Sequence, residues 1–147
     1  MVRLRYMSWL DEQIAKRDDL RSREALLTEH APKIYADLWE RLTKILDEAK
    51  VKLPDLKFRR TGSNGERQIA GGTPGIPMDE RTFDYKLSPD ERSITAAISG
   101  RPSGKLFTFA IGIIDEGIVG LKLNDETIHP QDAAQLLMGL FLFPDLR

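Results

Sequence analysis

The sequence predicts an α+β fold: an antiparallel β-sheet of four to six strands, built as a meander of hairpins, with N-terminal helices and a C-terminal helix packed on one face. Three observations predict it. The run Lys105 to Asn124 alternates as a hairpin with one apolar face, Pro32 to Lys50 carries a helical apolar stripe, and Pro130 to Phe141 is helical in pattern and apolar on most sides. The expected division places 1–50 in a helical N-terminal region, 51–124 in the sheet and 129–143 in the last helix, all within a single 1–147 domain.

Ser8 ahead of Trp9 and Leu10, with Asp11 three residues on, suits a helix start, and that helix would run to about Glu29. Its apolar residues, Trp9, Leu10, Ile14, Leu20, Leu26 and Leu27, are sparse among mixed charges, so most of its circumference should meet water. His30-Ala31-Pro32 should then interrupt it, because proline disfavours helix in the residue before it and suits the first turn of a new helix. The second helix, Pro32 to Lys50, aligns Ile34, Leu38, Leu42, Ile45, Leu46 and Ala49 on one stripe that must pack on something.

Leu56 and Phe58 before Asn64-Gly65 suggest a weak hairpin turned at Asn-Gly. Gly71-Gly72-Thr73-Pro74-Gly75-Ile76-Pro77 is a loop, since its prolines lack ladder donors and its glycines weaken a strand. Phe83, Tyr85 and Leu87, then Ile94, Ala96 and Ile98 beyond the Ser88-Pro89-Asp90-Glu91 turn, form a second hairpin. In the third, a three-residue loop Asp115-Glu116-Gly117 puts Phe107, Phe109, Ile111 and Ile113 on one face with Val119, Leu121 and Leu123. A two-residue loop would turn the last three outward, at a cost of roughly 5 to 9 kcal/mol. Asp125 to Ile128 reads as a connection, and His129-Pro130 as a helix start with proline at the first position.

The totals narrow the chemistry. The 147 residues are 41% hydrophobic and 31% charged, with 22 basic against 23 acidic residues and a formal charge of −1, so nothing global draws the chain to nucleic acid or an anionic membrane. Cysteine is absent, which excludes thiol catalysis, disulfides and cysteine-held metal clusters. No apolar run approaches the roughly 20 residues of a membrane span, and the chain reads as cytoplasmic.

Motifs add little. Gly100-Arg101-Pro102-Ser103-Gly104-Lys105 is one residue short between its glycines for a phosphate loop, lacks Ser or Thr after the lysine and leads into a strand. His129 lies near Asp125, Glu126 and Asp132, but a capping role explains the same residue types. The paired carboxylates Asp79-Glu80, Asp90-Glu91 and Asp115-Glu116 all fall at turns. No catalytic residue, cofactor or metal ligand is assigned.

Thr108, Ala110, Gly112, Gly120 and Lys122 share the face away from the helices and make a low, smooth track open to close approach, unless the glycines mark a bend or bulge. Together with the over-apolar last helix and the charged first helix, the track leads to the functional expectation. That expectation is a non-catalytic protein-interaction module, adaptor, chaperone-like or regulatory, associating with itself as a homodimer or with another protein. The alternative is a small anionic-ligand binding protein or enzyme, with the Gly71–Pro77 loop as a lid over a cleft holding Arg59, Arg60 and Arg101. Single-stranded nucleic-acid binding ranks third, since no RNP-like aromatic pattern accompanies the arginines.

Overall fold

The computed structural model describes residues 2–63, 65–100 and 104–145. Its order is α1 (Val2–Lys52), β1 (Lys57–Ser63), β2 (Glu66–Gly72), a 3₁₀ turn (Pro77–Asp79), β3 (Arg81–Leu87), β4 (Ser93–Ser99), β5 (Lys105–Asp115), β6 (Ile118–Leu123), β7 (Glu126–Ile128) and α2 (Pro130–Leu142). The seven strands form one antiparallel sheet in chain order, and the two helices pack on each other and on the sheet. The α+β meander of hairpins is as expected, but the strand count of four to six is corrected to seven. The addition is β7, where Leu121 pairs with Ile128 and Leu123 with Glu126. Three residues are too few for alternation to show in a sequence. No helix of the described residues is long and apolar enough to cross a membrane.

The break expected at Pro32 is also corrected. α1 is one helix of 51 residues with Pro32 inside it, and it begins at Val2 rather than Ser8. A proline in a helix interior costs about 3 kcal/mol through its missing donor and its clash with the preceding turn. Contacts on both sides offset that cost. Ala31 and Leu38 are fully buried and Tyr35 nearly so, while Leu27 packs against the same core. On the N-terminal side Arg92, from the β3–β4 turn, donates to the Glu24 carboxylate at 2.5 Å and to the Thr28 hydroxyl at 3.0 Å. Beyond that tie, residues 8–25 are all exposed and form an arm.

α1 is held to the sheet by two tyrosines that bond each other's backbone. The Tyr35 hydroxyl donates to the Tyr85 carbonyl at 3.1 Å, and the Tyr85 hydroxyl to the Tyr35 carbonyl at 2.7 Å. Their rings stack at 4.5 Å, and Trp39 stacks on Tyr85 at 5.4 Å. Burial raises both phenol pKa values, so each hydroxyl stays protonated and keeps donating. Around this clamp lie Phe83, Ile94, Phe109, Leu121, Leu137 and Phe141, all buried.

Replacing Tyr85 with Phe removes one arm of the clamp while keeping the ring. Urea unfolding should show a loss of about 1 kcal/mol. An unchanged midpoint would mean that ring packing alone holds α1.

Candidate functional site

The register of the last hairpin agrees with the sequence. Ile111 pairs with Leu121, Ile113 with Val119, Ala110 with Lys122 and Gly112 with Gly120. Phe109 and Leu121 are both buried beneath the helices. The turn itself is corrected: Asp115 pairs with Ile118 across a two-residue turn, and a bulge at Ile114 restores the register that a plain two-residue loop would have lost. Gly117 supplies the positive φ, +69°.

The bulge alters the expected smooth track. Thr108, Ala110, Gly112, Gly120 and Lys122 do lie on the face away from the helices, with Thr108 and Ala110 exposed and the others half-buried. Yet a Cβ on Gly120 would stand 2.6 Å from Ile114 Cδ1, so the bulged isoleucine fills that vacancy from its own chain. Gly112 has no atom within 4 Å of its missing Cβ and stays open. The rest of this face includes Thr82, Thr95 and Ala97, whereas Phe83, Tyr85, Phe107 and Phe109 lie in the alternate rows that face the core. Base stacking on the open face therefore has no aromatic platform.

Of the three arginines of the expected anion cleft, the two within the described residues do not converge. Arg60 forms an ion pair with Asp47 of α1. Its neighbour Arg59 points to the opposite face, and Arg101 lies outside the described residues. Arg59 does line, with Lys57 and Glu80, an open groove of about 370 Å³ beside Gly71–Ile76. The expected Gly71–Pro77 loop is corrected to a shorter one, because Gly71 and Gly72 end β2 and Pro77 opens the 3₁₀ turn, and what remains of it is pinned. Asp79 accepts from the Thr73 amide at 2.8 Å and from the Thr73 hydroxyl, and the Ile76 amide bonds back to Thr73.

Asp79 belongs to a larger network centred on Arg81, which is only 6% exposed. The Arg81 guanidinium donates to the last α2 carbonyls, Phe141 at 2.9 Å and Leu142 at 3.2 Å, and reaches Asp79 at 3.3 Å. It thus satisfies a helix C-terminus and ties it to the loop. A second arginine, Arg67, sets its guanidinium 5.4 Å from the Trp39 ring and 5.9 Å from Tyr35, with Nε buried and unpartnered. Sequence reasoning counts both among the arginines that could meet an anion or a single strand and gives neither a structural role. The signal was their phase, since Arg81 alternates with Phe83 and Tyr85, and Arg67 with Ile69.

The remaining candidates take structural roles. His129 caps α2, its Nδ1 accepting from the Gln131 amide at 3.0 Å. Among the described residues no three His, Asp or Glu side chains gather as a metal site. α2 buries Ala133, Ala134, Leu137, Met138, Phe141 and Leu142 within its own chain, so its apolar excess no longer calls for a second subunit. Between α1 and α2 runs an open groove of about 420 Å³, floored by Ile45, Met138 and Leu142 and rimmed by Arg41, Lys44 and Glu48. No protein-family model matches the chain, and neither does any curated protein or solved structure with which it was compared.

Two outcomes follow from this geometry. Gly112→Ala should raise stability by about 0.5 to 1 kcal/mol in urea unfolding, because the site is open and glycine weakens a strand. Gly120→Ala should show that gain only when combined with Ile114→Ala. Asp79 gives the second. Hydrogen bonds from Thr73 lower its pKa below the usual range, against partial burial and with help from Arg81. A depressed carboxyl contributes stability that is complete above its unfolded pKa of about 3.9 and fades as pH falls through the folded value. The native chain should therefore lose more stability than Asp79→Asn between pH 6 and pH 3; parallel losses would contradict this.

Proposed function

We propose that the protein is a non-catalytic protein-interaction module, an adaptor or regulatory subunit, that associates through the arm of α1, first of all with a second copy of itself. The observation that carries this reading is the arm's exposed apolar line. Trp9 is 61% exposed and Leu20 62%, with Leu10 and Ile14 beside them. At 3.6 residues per turn, about eighteen residues bring a helix back to the same side. Trp9 therefore stands in line with Leu27 and Ile45, half-buried against the core, and Leu20 with Leu38, fully buried in it. The face that grips the sheet continues past the sheet's end with its large side chains uncovered. A helix this long and mixed in charge gains little from propensity alone, so a partner on that face would supply what tertiary packing supplies elsewhere.

The groove beside Gly71–Ile76 supports a second reading, a binder of small anions, through Lys57 and Arg59. It carries less. The pinned loop offers no hinge for a lid, and Glu80 on the groove wall opposes an anion.

Native mass spectrometry and light scattering at micromolar concentration test the leading reading. The native chain should be a dimer, and Trp9→Glu with Leu20→Glu should weaken association by about a hundredfold while leaving the fold intact, since both side chains are already exposed. A native chain that stays monomeric, or a doubly substituted chain that still dimerises, would refute it.

A further inference from the structure

The sheet ends on one side at β1, whose outer edge has no neighbouring strand among the described residues. β1 spans seven residues, of which only Phe58 is buried. Its hydrogen-bond phase can be read from the hairpin. The Leu87 amide donates to the Gly65 carbonyl at 2.8 Å, which makes Glu66 and Lys86 a non-hydrogen-bonded pair and so leaves Glu66 bonded to Ser63. Counting back in twos, Gly62, Arg60 and Phe58 turn their N–H and C=O groups away from β2. These are the free ladder groups of the edge.

The edge is basic. Lys57, Arg59 and Arg60 lie on β1 with no acidic residue among them, and neither Lys57 nor Arg59 has an ion-pair partner among the described residues. Lys57 and Arg59 point to the same face, about 7 Å apart, and open onto the groove beside Gly71–Ile76, where they outnumber its one acidic lining residue, Glu80. At the other end Gly62 brings no side chain opposite Arg67, whose guanidinium lies against Trp39 and Tyr35 with its Nε unpartnered.

We infer that β1 is a strand-addition site for an extended acidic segment of a partner protein, with acidic side chains two residues apart opposite Lys57 and Arg59. The inference rests on the reading of the chain as an interaction module and adds a second contact surface to it. Charge selects this occupant over a second copy. A two-fold axis through Arg59, or one through Arg60, would set that arginine directly opposite its own copy, and like charges directly opposite are destabilising. The far edge of the sheet is acidic at Asp125 and Glu126, but β7 offers only three residues to pair with a strand of seven. Edge cations also guard sheets against aggregation, and that role is compatible with admitting an acidic strand: a basic strand is repelled and a neutral one would cover the cations unpaired, whereas an acidic strand meets neither cost.

The probe is a synthetic peptide of valine and threonine, as long as β1, with glutamate at two alternate positions; its control carries lysine there. Amide exchange followed by NMR on the full chain should show the glutamate peptide slowing Arg60 and Gly62 by about tenfold, and the lysine peptide leaving them unchanged. Lys57→Glu combined with Arg59→Glu should weaken the glutamate peptide by about tenfold or more and make the lysine peptide the better ligand, a reversal that a merely unfolded variant would not give. Equal protection by both peptides, protection confined to another strand, or protection that grows with protein concentration when no peptide is present would overturn the proposal. None of these outcomes depends on the arm, whose association is read separately by mass.

Discussion

The reciprocal bond between Tyr35 and Tyr85 decides where everything else lies. It joins a helix carbonyl to a strand side chain and a strand carbonyl to a helix side chain, with stacked rings between them. A contact made of apolar burial alone could slide along the helix by one turn with modest loss, because the stripe repeats. Two directional bonds at one place remove that freedom. With α1 pinned at Tyr35, the Leu38, Leu42 and Leu46 turns fall on the sheet, and everything before Leu26 overhangs it.

Arg81 does for the other end of the molecule what the tyrosines do for α1. A buried guanidinium needs partners for its donors, and this one spends its two terminal nitrogens on two α2 carbonyls and on Asp79, leaving Nε unpartnered. One strand, one loop and one helix end are thereby made a single unit. The loop over the groove is rigid for that reason, and the groove becomes a fixed margin of the β1 edge. Two surfaces follow, one apolar along the arm and one basic along the edge strand, and they are separate in chemistry and in the partner each would take.

Much of this was legible in the sequence. The hairpins, the capping at His129 and the shared face of Phe109 and Leu121 follow from alternation, proline position and the cost of exposing three apolar side chains. The continuity of α1 was not, because local proline chemistry argues for a break and only the tertiary ties at Ala31, Tyr35 and Arg92 outweigh it. The bulge was legible only as an alternative reading of the glycines, and its place at Ile114 was not: a three-residue loop and a two-residue turn with one bulged residue give the same register, and the choice depends on Gly120 lying across the strand pair. Arg59 and Arg60 looked like one anion site because they are adjacent, whereas adjacency in a strand places side chains on opposite faces. Arg67 and Arg81 look like surface charge by residue type, and only their phase with the apolar residues betrays their inward direction.

The account stands on α1 being one rod whose residues 8–23, ahead of the Glu24–Arg92 tie, stand exposed. The absence of cysteine allows a direct measurement, with spin labels at Glu12→Cys and Lys44→Cys and the distance taken by pulsed electron resonance on labelled chains diluted in unlabelled ones. At about 1.5 Å of rise per residue, a continuous helix puts the two positions about 48 Å apart with a narrow distribution. A broad distribution, or a much shorter distance from an arm folded back at Pro32, would contradict it.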